Sequence, residues 1–69
     1  MRLEVGVLYE AEGGTFGLCT QSDGEVFGLA FVAPKGAREP MTYRIYRADG
    51  TNDGNPPIVE ELWRLSKGR

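Results

Sequence analysis

The N-terminal segment alternates between apolar and polar positions, and this pattern predicts a strand. The apolar set is Leu3, Val5, Val7 and Tyr9, and the residues between them are Glu4, Gly6, Leu8 and Glu10. A period of two is typical of a strand that turns one face toward a core. Glu12, Gly13 and Gly14 follow and predict a turn.

Two apolar segments, TFGLCTQS and EVFGLAFV, flank Asp23-Gly24 and predict a hairpin. Asp-Gly is favoured in a two-residue type I′ turn, because both central positions need a positive φ. Placing this pair at the centre of the turn puts Ser22 opposite Glu25. The resulting register pairs Thr20 with Phe27, Leu18 with Leu29 and Phe16 with Phe31 on one face, and Gln21 with Val26, Cys19 with Gly28 and Gly17 with Ala30 on the other.

The predicted hairpin has one face of bulky residues and one face of small residues. We expect the bulky face to line the core. Glycine weakens a strand, so Gly17 and Gly28 need a reason, and close approach of another backbone, a helix or a ligand is one. Ala30 extends this small-residue surface. The alternative is that both glycines mark bulges or sharp coiling in a small curled sheet.

The next segments predict a loop and a further strand. Residues 33–40 are bounded by prolines and predict a surface loop. Residues 42–47 alternate again, with Tyr43, Ile45 and Arg47 on one side and Thr42, Arg44 and Tyr46 on the other. This strand is expected to end at residues 48–50.

A short C-terminal helix is predicted from helical spacing of apolar residues. The apolar stripe consists of Ile58, Val59, Leu62, Trp63 and Leu65. Asn55 suits the N-cap and Pro56 the first turn, while Lys67 and Gly68 suit the end of a helix. Trp63 is then either part of the core face of the helix or a dimer anchor.

These elements predict one α+β domain over residues 1–69. We expect a small curled antiparallel sheet of about four strands, SH3-like, with the short C-terminal helix covering one open side. A 69-residue chain buries a limited core. Its single Cys cannot form an internal disulfide, and it has no His to complete a common zinc site. Association with another chain is therefore the expected source of further stability.

The chain has a net charge of −2, but residues 1–33 hold five acidic residues and only one basic residue, Arg2, and so carry a net charge of −4. An acidic first half argues against non-specific binding to duplex nucleic acid, which needs several cations along the phosphates. The single thiol, the absence of an apolar signal sequence and the absence of a membrane-length apolar run predict a soluble cytoplasmic protein.

A local basic and aromatic cluster is an alternative binding site. Arg44, Tyr46 and Arg47 are close in sequence and combine the residue types that hold a phosphate and stack on a base. This cluster predicts a nucleotide or single-stranded nucleic-acid site. The competing interpretation is that these residues form half of the core and half of a solvated strand edge.

Catalytic groups are sparse, and no enzyme activity is predicted. The chain has no His, and no pair of carboxylates has a spacing that predicts acid and base catalysis. Cys19 has no identified basic neighbour, so a small buried apolar side chain is the favoured interpretation over a nucleophile. We expect no cofactor.

The segment from Asp49 to Glu60 matches the spacing of an EF-hand calcium loop in part. Asp49, Asp53, Gly54 and Glu60 occupy positions 1, 5, 6 and 12 of that pattern. Thr51 stands where a stronger oxygen ligand is usual, and two prolines follow. A plain turn is therefore favoured, and no metal is expected.

Both ends of the chain resemble a recurrent type of small phage and prophage protein. The matching residues are LEVG with Leu8-Tyr9, then YRADG at residues 46–50, and IVEELW at residues 58–63. Such proteins share an "LxVGxxY" strand, a "YRxDG" turn and an "LVxEW"-like segment. The resemblance implies a viral accessory protein in the host-cell cytoplasm and supplies no catalytic motif.

The sequence therefore predicts a non-enzymatic protein that acts by protein–protein interaction. Its interaction surface is expected to include Gly17, Gly28, Ala30 and Trp63. The partner is either a host protein, whose activity the chain would modulate, or a second copy in a homo-oligomer. The site at Arg44, Tyr46 and Arg47 is the alternative.

Overall fold

The computed structural model describes residues 2–33, 36 and 38–64, which form five strands and no helix. The strands are β1 (Val7–Ala11), β2 (Thr15–Ser22), β3 (Val26–Val32), β4 (Met41–Arg47) and β5 (Ile58–Arg64). They make one antiparallel sheet in the order β4-β3-β2-β1-β5. The prediction of a small antiparallel sheet is confirmed, with five strands in place of about four.

The prediction of a C-terminal helix is wrong, because Ile58–Arg64 forms strand β5. Its backbone pairs with the open edge of β1, where Trp63 lies opposite Leu8 and Ile58 opposite Ala11. The pairing shifts register twice, so β5 carries two extra residues relative to β1. Such bulges interrupt a period of two, and the remaining apolar spacing imitates that of a helix. Leu65, Lys67 and Gly68 lie outside the described residues.

The segment between β4 and β5 is an ordered connection and not a helix start. Asn55 does not cap a helix, since its own N–H donates to Oδ1 of Asn52 at 2.9 Å. The Pro56 carbonyl accepts a hydrogen bond from the Tyr46 hydroxyl at 2.8 Å. The N–H of Ile58 donates to the Gly50 carbonyl at 2.8 Å, which ties the connection to β5.

One face of the sheet, which we call the inner face, carries the core. Its buried apolar residues are Leu3, Val7, Tyr9, Ala11, Cys19, Phe27, Leu29, Phe31, Tyr46 and Ile58. The N-terminal segment covers this face, with the Leu3 N–H donating to the Ala48 carbonyl at 2.8 Å. The Glu4 N–H donates to the Tyr9 hydroxyl, also at 2.8 Å, and so pairs a polar atom of a buried ring.

The predicted register of the β2–β3 hairpin is wrong. The turn centres on Gly24 and Glu25, since the Asp23 N–H donates to the Val26 carbonyl and Ser22 lies opposite Phe27. Only Gly24 of the two central residues has a positive φ, 102°, as a type II′ turn requires.

The side chain of Asp23 explains where the turn forms. Its Oδ1 accepts the N–H groups of Glu25 and Val26, each at 3.0 Å. These two hydrogen bonds lower the pKa of the Asp23 carboxyl. Asp23 therefore closes the turn from the position before it and does not occupy its centre.

A further register shift between Cys19 and Gln21 sets the faces of β2. Beyond it, Leu18 lies opposite Ala30 and Gly17 opposite Phe31. A shift of one residue moves every side chain of a strand to the other face. The prediction that Phe27, Leu29 and Phe31 line the core is confirmed, whereas Phe16 and Leu18 point outward and Cys19 points inward.

The two strand glycines each make room for an aromatic ring of the neighbouring strand. A Cβ built on Gly17 would lie 2.7 Å from Cε1 of Phe31, inside the core. A Cβ built on Gly28 would lie 2.5 Å from the Tyr43 hydroxyl, on the opposite face. Close approach is thus the reason for both glycines, but each approaching group belongs to this chain.

Candidate interaction surface

The sheet face opposite the core, which we call the outer face, has an apolar row across all five strands. Residues directly opposite each other in an antiparallel pair point to the same side of a sheet. The row of cross-strand partners consists of Trp63, Leu8, Leu18, Ala30 and Tyr43. It begins on β5 at one edge and ends on β4 at the other.

Further exposed apolar residues extend this row along the strands. Val32 lies opposite Met41, and Gly28 lies opposite Ile45. Eight of the eleven exposed large apolar side chains of the described residues lie on the outer face: Phe16, Leu18, Val26, Val32, Met41, Tyr43, Ile45 and Trp63. A contiguous apolar patch of this kind marks an interaction site on a folded protein.

Hydrogen bonds hold part of the outer face in place. The Tyr43 hydroxyl lies 2.8 Å from Oγ1 of Thr20, and this places the Tyr43 ring over Gly28. Beside it lies a shallow depression of about 200 Å³, lined by Gln21, Ser22, Asp23, Val26, Gly28 and Ile45. Polar groups of the hairpin turn therefore border the apolar surface.

Three of the four predicted interaction residues share the outer face. Gly28, Ala30 and Trp63 lie there, and Trp63 is 56% exposed, so its ring is not part of the core. Gly17 lies on the inner face beneath Phe31. The structure thus brings together the first three residues and separates Gly17 from them.

The outward residues of β2 and β4 were not predicted from the sequence to belong to the interaction surface. A usable signal was present, because the hairpin has apolar residues at both alternating positions of each strand. A strand that is apolar on both sides is one that can be covered on both faces. Phe16 and Leu18 belong to this second, outward set.

Both edges of the sheet are partly blocked, which leaves the outer face as the open surface. On β4, the Ile45 carbonyl accepts a hydrogen bond from Nδ2 of Asn52 at 2.6 Å, and the Arg47 N–H donates to the Thr51 carbonyl at 2.9 Å. The edge strand β5 is bulged and charged, and its Arg64 pairs with Glu4 and Glu61. Bulges, charges and covering loops all oppose edge-to-edge pairing.

The structure brings together only two residues of the predicted basic and aromatic cluster. Tyr46 is buried, and its hydroxyl lies 3.5 Å from the guanidinium of Arg44. That guanidinium also lies 4.3 Å from the centroid of the Phe31 ring. Arg47 has the opposite strand orientation and forms an ion pair with Asp53. The ring of Tyr46 is therefore not placed to stack on a base.

The carboxylates of the calcium-like segment are engaged separately. Oδ1 of Asp49 accepts hydrogen bonds from the Thr51 hydroxyl at 2.6 Å and from its N–H at 3.0 Å, and these lower the pKa of the carboxyl. Asp53 pairs with Arg47, and Glu60 lies on β5 opposite Glu10. Within residues 2–33, 36 and 38–64, no group of three His, Cys, Asp or Glu side chains is placed to hold a metal.

Cys19 is a small buried side chain of the core. It is 1% exposed, and burial raises the pKa of its thiol. A thiol in apolar surroundings with a raised pKa is unreactive.

Comparisons with protein-family models, with curated proteins and with solved structures find no match to this chain. The part of the chain that the structure describes contains no helix long and apolar enough to cross a membrane.

Proposed function

We propose that this chain is a non-enzymatic protein whose outer face binds another protein. The observation that carries the proposal is the concentration of exposed apolar side chains on one sheet face, in a continuous cross-strand row. Large exposed patches on small soluble domains are interaction sites, since leaving such a surface in water is unfavourable.

The residue types of this face support protein binding. Trp63 and Tyr43 stand at the two ends of the row, and aromatic residues are the commonest energetic anchors of protein interfaces. Aliphatic residues lie between them, and polar groups near Thr20 and the hairpin turn form part of a rim. An apolar centre with a polar rim is the usual anatomy of an interface.

The strand order supports an SH3-like arrangement, which we include in the proposal. The first four strands follow one another across the sheet, and β5 returns to pair with β1. The resemblance of both chain ends to small phage proteins supports a viral accessory role. On this proposal the chain acts in the host cytoplasm by occupying the surface of a host protein or by self-association.

The alternative of a nucleotide or single-strand site has less support. Arg44 keeps one face of its guanidinium on the Phe31 ring, and Tyr46 is buried. Adding a nucleotide or an oligonucleotide should therefore leave the Tyr fluorescence unchanged, while a salt-sensitive change would favour this alternative.

A capture experiment with matched variants tests the proposed surface. Tagged wild-type protein, Val32→Lys and Val5→Lys are each incubated with bacterial lysate and with a differently tagged copy of the chain. Val32 lies on the outer face, whereas Val5 is exposed in the turn before β1. We expect wild type and Val5→Lys to retain the same bound protein and Val32→Lys to lose it. Equal capture by all three proteins would contradict the proposed surface.

A further inference from the structure

We propose that the occupant of the outer face is a second copy of this chain, packed sheet against sheet in a dimer. This inference rests on the proposed function, because it names the partner of the same surface. It is carried by three properties of the face: its area, its lack of unpaired charge at the centre, and its geometry.

The exposed apolar area matches what one subunit of a stable dimer buries. The exposed fractions of the eight outer-face side chains add up to about four whole side chains, or roughly 600 to 700 Å², taking the lower part of the range of about 150 to 250 Å² for an aromatic side chain because five of the eight are aliphatic. The largest apolar patch on a typical monomer is about 300–600 Å². A stable interface buries about 800 Å² per partner, so a second copy would cover most of this patch.

The charge distribution favours an apolar partner. The central row from Trp63 to Tyr43 contains no charged residue. Arg47 at one corner is already paired with Asp53. Glu10 and Glu60 lie opposite each other on the outer face, beside Phe16 and outside the central row. Homodimer interfaces are more apolar than other interfaces, which is the composition of this face.

The geometry suits a second sheet. One face of the sheet is already filled by the core, while the row on the outer face spans all five strands. Two sheets pack face to face about 10 Å apart with interdigitating side chains, and this arrangement covers a wide and nearly continuous apolar surface. A dimer therefore converts a sheet with one covered face into a two-sheet sandwich.

Sedimentation equilibrium with matched variants tests the dimer. Wild type, Val32→Lys and Val5→Lys are compared from about 1 to 200 µM, a range chosen to span dissociation constants in the micromolar region. Both substitutions place Lys at an exposed Val, 71% exposed at residue 32 and 48% at residue 5, and both change the net charge equally. We expect a dimer for wild type and Val5→Lys. For Val32→Lys we expect a dissociation constant at least about 100-fold higher, because a buried unpaired charge opposes association.

The fluorescence of the only Trp gives an independent measure of the same surface. Trp63 lies on the outer face, so dimerisation should shield its ring from water and dilution should move its emission to longer wavelength. The midpoint of this shift should match the dissociation constant from sedimentation. Far-UV circular dichroism of each variant confirms that the sheet is retained.

The outcomes separate this inference from the proposed function. A wild-type monomer over the whole concentration range overturns the dimer, and so does a dimer that both variants or neither variant dissociates. If that monomer still captures a different protein, and Val32→Lys loses the capture, the proposed function stands and only the second copy is excluded. A monomer without any captured protein overturns both.

Discussion

The inner and outer faces of the sheet are both apolar, but only the inner face is covered by the described chain itself. The N-terminal segment and the connection from β4 to β5 lie over the inner face and hold Tyr9 and Tyr46 in hydrogen bonds. On the outer face, Trp63 and Tyr43 stay about half exposed. Apolar composition alone therefore does not define a core, since a core also needs chain to close over it.

The two strand glycines show the same difference between a closed face and an open face in single contacts. Gly17 accommodates Phe31 inside the core, and Gly28 accommodates Tyr43 on the outer face. The contacts are similar in closeness, but the Phe31 ring is confined on all sides while the Tyr43 ring borders open surface. Substitutions on the closed inner face should therefore cost more stability than matched substitutions on the open outer face.

Truncating the Phe31 and Tyr43 side chains should give the largest difference in stability between the two faces. Phe31→Ala should lower the free energy of unfolding by about 3–5 kcal/mol, because it leaves a cavity in the core. Tyr43→Ala should lower the stability of the monomer by less than about 1 kcal/mol, the usual range for an exposed position. Urea unfolding at a protein concentration below the dissociation constant of the proposed dimer measures the free energy of unfolding of both variants. Similar losses for both variants would show that the outer face is packed as a second core.

Adding a methyl group at each glycine is the next largest effect. Gly17→Ala should cost about 1–3 kcal/mol, because the Phe31 ring has nowhere to move. Gly28→Ala should cost less than about 1 kcal/mol in the monomer, since the Tyr43 ring can turn toward water. The second variant should also weaken association. The comparison fails if Gly28→Ala is as destabilising as Gly17→Ala in dilute solution.

The connection that covers the inner face should depend on Asn52 more than on Asn55. The Asn52 side chain accepts the N–H groups of Gly54 and Asn55 and donates to the Ile45 carbonyl. Asn52→Ala should therefore cost about 1 kcal/mol, as for loss of a hydrogen-bonded side chain. Asn55→Ala should have little effect, because Asn55 caps no helix. A larger loss at Asn55, measured by thermal unfolding, would favour the helix that the sequence predicted.

Alkaline pH should lower the stability of the protein, because the inner face buries two weakly acidic groups, the Tyr9 phenol and the Cys19 thiol. Burial raises the pKa values of Tyr9 and Cys19, so the unfolded chain loses these protons at a lower pH than the folded chain does. Stability should be fully present below the ordinary thiol and phenol pKa values and should fall as pH rises through them. Cys19→Ala should remove the thiol contribution. A stability that is unchanged up to the unfolded-state phenol pKa would contradict the burial of the Cys19 thiol, and one that stays unchanged well above that pKa would also contradict the burial of Tyr9.

Local sequence was sufficient for the first four strands. The alternation in β4, the turn at residues 12–14 and the end of β4 were predicted, because side-chain period and turn residues act within a few positions. The first strand was predicted from Leu3, but it begins only at Val7, because residues 5 and 6 form a turn and Val5 is exposed. The burial of Cys19 was also predicted, from its residue type and the lack of a basic neighbour, although the predicted register placed it on the small-residue face. Of the predicted interaction residues, Gly28, Ala30 and Trp63 share the outer face, whereas Gly17 lies on the inner face because the predicted register was wrong.

The register of the hairpin could not be predicted from the hydrophobic pattern, because it depends on specific side-chain contacts. Asp-Gly favours one turn, but two backbone N–H groups bind the Asp23 side chain and move the turn along by one residue. The later shift near Thr20 then exchanges the faces of β2. Since both faces of the hairpin are apolar, hydrophobicity could not choose between the registers.

The amino-acid sequence by itself predicted four of the five extended segments and where most of them turn. Only the tertiary structure decided that residues 58–64 form a strand, because the unpaired edge of β1 supplies hydrogen bonds that a local helical pattern cannot outweigh. It also decided which apolar face is closed and which stays open. That choice depends on long-range contacts of residues 2–6 and 48–57 with the sheet, and no local pattern encodes such contacts.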